Sequence, residues 1–136
     1  MANIVDESVL DRELNPEQAA AAKNIKGPML ILAGAGSGKT RAITYKIAHL
    51  VSKYNVETDR ILAVTFTNKA AREMRDRIQK LLDCNMNFRC MGTFHSVCLK
   101  LLKLSLSKAS VASAMGGKWY NGNFSIYDDD DQRRLV

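Results

Sequence analysis

The chain of 136 residues carries 20 Lys+Arg against 14 Asp+Glu, a formal net charge of +6, and 46% of its residues are hydrophobic. That is the size of one ordinary domain or less, too apolar for a disordered tail and too polar for a membrane protein. No apolar run approaches the ~20 residues a spanning helix needs, and the start, MANIVDESVLDREL, has neither a basic n-region nor an apolar h-segment. A cytoplasmic setting is expected.

Residues 1–13 read as a polar leader. In LNPEQAAAAKN, Asn15 can cap a helix, Pro16 fits its first turn and Gln18 stands where a capping box needs it, so the alanines should carry a helix to Gly27. PMLILA, residues 28–33, is a continuous apolar run bounded by Gly-Pro and a Gly-rich loop, which predicts a strand buried on both faces. The following segment puts Ile43, Ile47, Leu50 and Tyr54 on one helical stripe. Residues 60–66, RILAVTF, predict a second buried strand. Over residues 68–82 the apolar positions Ala71, Met74, Ile78, Leu81 and Leu82 recur at helical spacing, with Glu73/Arg77 and Asp76/Lys80 as i,i+4 pairs. A third strand is expected over residues 88–91, then a helix carrying Phe94, Val97, Cys98, Leu101 and Leu102. This alternation predicts an α/β fold with a parallel sheet. From Ser105 the composition turns small, polar and Gly-rich, which marks a boundary before FSIYDDDDQRRLV.

The most specific chemistry lies in AGAGSGKT, residues 33–40, between the first predicted strand and the next helix. It fits the phosphate-loop pattern with Ala33 at the first position, and its strand-before, helix-after context is the one the motif requires. Gly34, Gly36 and Gly38 let backbone N–H groups wrap a polyphosphate together with Ala35 and Ser37, and the helix start adds its positive end. Lys39 would reach the β- and γ-phosphates, and the Thr40 hydroxyl would ligate magnesium. The glycines are spaced G-x-G-x-G, which is not the dinucleotide fingerprint. Guanine is disfavoured, because the only Asn-Lys is Asn68-Lys69, without the aspartate a GTPase shows two positions on.

The positive charge is localised. Nine basic residues fall in residues 60–103 against Glu73, Asp76 and Asp83, while the two flanking stretches are each balanced, so the whole excess lies in that window. Such a concentration suits either a solvated helix face or a polyanion-binding surface. Cys84, Cys90 and Cys98 are odd in number and lack Cys-x-x-Cys spacing; even with His95 added they make no zinc knuckle, so reduced thiols are expected.

Three further stretches, LNPEQ at residues 14–18, TFTNKAAREM at 65–74 and GTFHS at 92–96, occur around AGAGSGKTR. In this order and spacing the chain resembles the amino-terminal part of the UvrD/Rep/PcrA-type superfamily I DNA helicases, over about residues 14–104. The resemblance implies a partial RecA-like phosphate-loop NTPase sheet over those residues, and the beginning of an inserted helical subdomain over 105–136. It also implies ATP with Mg2+ as cofactors, single-stranded DNA and DNA junctions as partners, and a role in repair or replication. By the same resemblance Gln18 reads the adenine edge, an amide being able to donate and accept at once, and Arg41 sits near the phosphates or shapes the site. Phe66, Thr67, Asn68 and Lys69, with Thr93, Phe94 and His95, line a groove for single-stranded DNA. The physics agrees, since these residues lie where parallel strands end and helices begin. There Phe66 can stack a base, Asn68 and Thr93 can hold phosphates, and Lys69 can do so by charge.

Hydrolysis in this class needs a carboxylate pair at the end of a later strand. FSIYDDDD does not supply it, because Ser125 interrupts the apolar run and four consecutive aspartates repel one another. The expectation is therefore a piece of a longer three-prime to five-prime helicase that binds nucleotide weakly and neither hydrolyses ATP nor unwinds DNA by itself. Two rivals remain open: a small phosphate-loop kinase, and a basic single-strand-binding module whose loop only holds an anion.

Overall fold

A computed structural model describes residues 3–34 and 36–106 together with Arg134. The chain divides into two units after Phe94. The first holds α1 (Glu7–Glu13), α2 (Pro16–Lys23), α3 (Lys39–Tyr54), a 3-10 turn (Thr58–Arg60), β1 (Leu62–Thr65), α4 (Asn68–Leu82) and β2 (Cys90–Thr93). Of the second, the described part is essentially α5 (Phe94–Leu106). The predicted subdomain start beyond Leu106, with FSIYDDDDQ, lies outside the described residues.

The leader contains a helix. Asp6 caps α1 by accepting from the Val9 N–H at 3.1 Å, and Val5 and Leu10 flank the cap in staple positions, both buried in the common core. Three hydrogen bonds tie the preceding segment down. Asn3 N–H donates to Leu82 O (2.8 Å), Val5 N–H donates to Ser52 Oγ (2.9 Å), and His49 Nδ1 lies 2.5 Å from Val5 O. Seven residues with one cap and few apolar positions carry too weak a periodicity to announce this helix; its partners, Ser52 and His49, lie more than 40 residues away.

The Asp6 carboxyl is held below its usual value, first by the Ser8 hydroxyl and then by the Val9 N–H. Its contribution is present above pH ~3.8 and is lost as pH falls through the depressed value. Amide protection at Val9 is thus expected to fall in acid well before that of Ile78 in the core. Equal loss at both positions would count against this cap.

α2 forms with its full capping box: Gln18 N–H donates to Asn15 Oδ1 (2.8 Å) and Asn15 N–H to Gln18 Oε1 (3.3 Å). It ends at Lys23, short of the expected Gly27. α3 runs as expected, but its buried face is Ala42, Thr44, Tyr45, Ile47, Ala48, His49 and Val51. Of the predicted stripe only Ile47 is fully buried, while Ile43 and Tyr54 are exposed. α4 matches its predicted span and buries Ala71, Met74, Ile78 and Leu82. Its Thr67 cap accepts from Ala70 N–H at 3.1 Å, and Glu73 and Arg77 pair at 4.0 Å.

β1 and β2 pair in parallel, Leu62 opposite Cys90 through Thr65 opposite Thr93, with α4 between them in sequence. β2 starts two residues later than predicted, leaving Phe88 as a buried residue just before it. Two expectations need correction. Residues 28–34 form neither helix nor strand and join no ladder among the described residues, and Leu30 and Leu32 are 81% and 86% exposed. In β1 only Ala63 is buried, while Leu62 and Val64 face outward. A strand buried on both faces needs neighbours on each side and layers above and below; the apolar run declares the capacity for this burial, and the described residues do not provide it.

Cys84, Cys90 and Cys98 are free thiols. Among the described residues no helix is long and apolar enough to cross a membrane.

Candidate nucleotide site and nucleic-acid edge

The loop reaches α3 through two residues of positive φ, Gly36 (77°) and Gly38 (82°), the latter being the N-cap of α3. Ser37 turns back on Gly34, its N–H and its hydroxyl both donating to the Gly34 carbonyl, at 3.4 and 2.7 Å. Lys39 folds over the same turn, its Nζ donating to Ala33 O (2.5 Å) and Gly34 O (2.6 Å). An ammonium has three donors. Phosphate oxygens arriving here would take the third and compete with two neutral carbonyls for the others, an exchange charge favours. Thr40 is exposed in the first turn of α3, where the helix dipole favours an anion. Glycine backbone, ammonium and hydroxyl form a donor set that fits a magnesium polyphosphate. Ala35 lies outside the described residues.

Gln18 reaches this loop from α2, its Nε2 donating to the Ser37 carbonyl at 2.9 Å. Contact is so close that a Cβ on Gly38 would lie 2.4 Å from Gln18 Nε2. The capping box and the contact with the loop thus coexist in one side chain. Asn15, Gln18, Ser37 and Lys39 share a cavity of about 180 Å³ with the apolar Ile31, Leu32 and Ala42. Arg41 is held at the end of α1, donating to Glu13 O at 2.7 Å, 3.7 Å from the Glu13 carboxylate and 5.5 Å from the Tyr45 ring centroid.

The contact of Lys46 with α2 was not legible in the sequence. Lys46 lies two turns after Lys39 on α3 and donates to Ala21 O at 3.2 Å and to Asn24 O, holding the C-terminal end of α2. Desolvation lowers its pKa below the usual lysine value. The i+7 spacing from Lys39 is the one signal that places it on the loop's side of the helix.

The predicted DNA-contacting residues of the first unit gather at one edge. β1 and β2 end together at Thr65 and Thr93, and α4 and α5 start just beyond. Phe66 is fully exposed, followed by exposed Thr67, Asn68 and Lys69 at the start of α4, while Phe94 is 64% exposed. Thr65 Oγ1 braces the turn by donating to Thr67 O at 3.0 Å. This carboxyl edge of a parallel sheet, with the N-terminus of α4 beside it, is where α/β folds bind ligands. His95 is exposed and belongs to the second unit.

Parallel strands, flanking helices and a Gly-Lys-Thr turn into α3 define an α/β domain of the RecA-like phosphate-loop class. The chain belongs to the UvrD/REP helicase N-terminal domain family, whose model matches residues 14–136. It is 41% identical over 129 residues to the "ATP-dependent DNA helicase PcrA" of Staphylococcus aureus (strain Mu50 / ATCC 700699), covering 95% of this chain and 16% of that protein. It is 45% identical over 123 residues to the "Probable DNA helicase II homolog" of Mycoplasma capricolum, covering 90% and 16%. With the "ATP-dependent DNA helicase PcrA" of Bacillus subtilis (strain 168) the identity is 42% over 123 residues, covering 90% and 15%. The chain thus spans only 15–16% of the length of these relatives.

Proposed function

We propose that this chain is the ATP-binding portion of an ATP-dependent three-prime to five-prime DNA helicase or single-stranded DNA translocase, working in the cytoplasm in DNA repair or replication. The observation that carries this is the hydrogen bond from Gln18 to the Ser37 carbonyl. It joins LNPEQ to AGAGSGKT, which supports a reading in which the Gln18 amide meets the base and the loop holds the phosphates. In this assignment Lys39 and Thr40 are the catalytic residues, Lys39 binding the β- and γ-phosphates and Thr40 ligating Mg2+. The backbone from Ala33 to Gly38 wraps the phosphates, Gln18 binds adenine, and Arg41 sits near the phosphates or shapes the site. Bound MgATP would supply the phosphoryl group whose transfer to water drives movement.

The edge formed by Phe66, Thr67, Asn68, Lys69, Thr93 and Phe94, with His95 following, would bind single-stranded DNA and DNA junctions. Phe66 would offer a sequence-tolerant stacking face, and the helix starts would hold phosphates. Turnover and unwinding are assigned to a longer protein of the relatives' size, in which later carboxylates and a second motor domain would act with this one.

An NMR titration of this chain should show magnesium-dependent ATP binding that K39A abolishes, with no turnover above the K39A control. ATP hydrolysis above that control would overturn the expectation for this length of chain. Oligonucleotide binding that weakens with salt separates the helicase assignment from a small kinase. DNA-stimulated ATPase in the longer protein separates a motor from a passive binder, and its absence would sink the motor assignment.

A further inference from the structure

Gln18 has a constrained amide. Its Oε1 accepts from Asn15 N–H at 3.3 Å and its Nε2 donates to Ser37 O at 2.9 Å. A backbone N–H can only donate and a carbonyl can only accept, so the two bonds forbid the flipped amide. What remains is one N–H and one lone pair in a fixed order. Adenine presents an acceptor, N7, beside a donor, N6–H; guanine presents N7 beside a second acceptor, O6. A fixed donor–acceptor pair therefore matches adenine and leaves guanine with two acceptors facing one donor and one lone pair.

That order survives only while α2 stays seated. α2 has eight residues, too few to be stable alone, so tertiary anchors decide its position. At its C-terminal end the last carbonyls lack helical partners, and Lys46 supplies donors to two of them, Ala21 O and Asn24 O. Ala21 is one turn from Gln18. At the other end, Gly38 is packed so closely that only its missing Cβ admits Gln18 Nε2. Lys46 and Gly38 belong to α3 and its cap, so both anchors refer Gln18 to the helix that carries Lys39 and Thr40.

We propose that Lys46 is a positioning residue for base selectivity: by holding the C-terminal carbonyls of α2 from α3, it keeps the Gln18 amide locked between Asn15 and Ser37 in the order that accepts adenine over guanine. This deepens the nucleotide assignment above and rests on Gln18 contacting the base.

The test is an NMR titration of the chain with MgATP, MgGTP and tripolyphosphate, the last lacking a base. The unaltered chain should prefer ATP to GTP by about tenfold, the scale of one two-point base contact. K46M should bring that preference to within about twofold while changing tripolyphosphate affinity by less than about twofold; K46R, which can still donate to both carbonyls, should keep the preference. K46A, which likewise has no donor, takes the place of K46M if the latter does not fold. A preference intact in K46M (or in K46A in its place) would overturn the proposal, as would an equal loss of tripolyphosphate binding, which would mark a general loosening. Q18A is the separate control: a preference that survives there places the failure in the base-reading role of Gln18, and the proposal falls with it.

Discussion

Gly38→Ala is expected to lower the stability of the chain by about 1.5–3.5 kcal/mol and to abolish selective nucleotide binding. Two costs combine. Gly38 has φ 82°, a left-handed conformation that costs an L-residue ~1–2 kcal/mol. Its new Cβ would also fall 2.4 Å from Gln18 Nε2, so the amide must leave Ser37 and give up a hydrogen bond worth about 0.5–1.5 kcal/mol. Gly36→Ala is the control, because Gly36 has nearly the same φ, 77°, and nothing within 4 Å of the added carbon. It should show the backbone cost alone and retain the ATP-over-GTP preference. Urea unfolding and nucleotide titration of both variants decide the matter. If they behave alike, the contact between Gln18 and the loop contributes nothing.

Phe66→Ala is expected to weaken binding of a fluorescent oligothymidine by about 1–3 kcal/mol, the range for one base stacked on an aromatic ring. Stability should be unchanged, since a fully exposed side chain loses no burial on truncation. The combination separates a binding face from a core position, where the same truncation typically costs 3–5 kcal/mol of stability. Lys69→Ala should act differently, lowering the slope of log affinity against log salt by about 0.7, as the loss of one phosphate contact on a single strand requires. Unchanged oligothymidine affinity in F66A would remove the stacking role and leave Phe66 as an apolar side chain waiting for a protein neighbour.

The elements legible in the sequence are those governed by residues close together in the chain. The Asn15–Gln18 capping box and the span of α4 from its Thr67 cap to Leu82 follow from contacts within one helical turn and from a repeat of three to four residues. The phosphate loop is legible for the same reason, since eight consecutive residues hold its glycines, its lysine and its threonine. The parallel pairing of β1 with β2 also follows, because the helix between them imposes a crossover.

Contacts between residues far apart in sequence were decided only by the tertiary structure. The leader became α1 and part of the core because His49, Ser52 and Leu82 receive it. The run at residues 28–33 was apolar enough for a central strand, yet a ladder depends on neighbours, and β1 and β2 pair with each other instead. α3 has more apolar positions than one stripe can use, and packing against α2 and α4 selected the Ala42–Tyr45–Ala48 side over Ile43 and Tyr54. The same holds at the site. Sequence alone supplied the loop, the amide and the residues of the strand-end edge, while folding set Gln18 on Ser37, left no space for a Cβ at Gly38 and placed Lys46 on the end of α2. Residue types and local spacing establish which chemistry is available; only the packed structure orients it, because hydrogen bonds and close approaches act across space rather than along the chain.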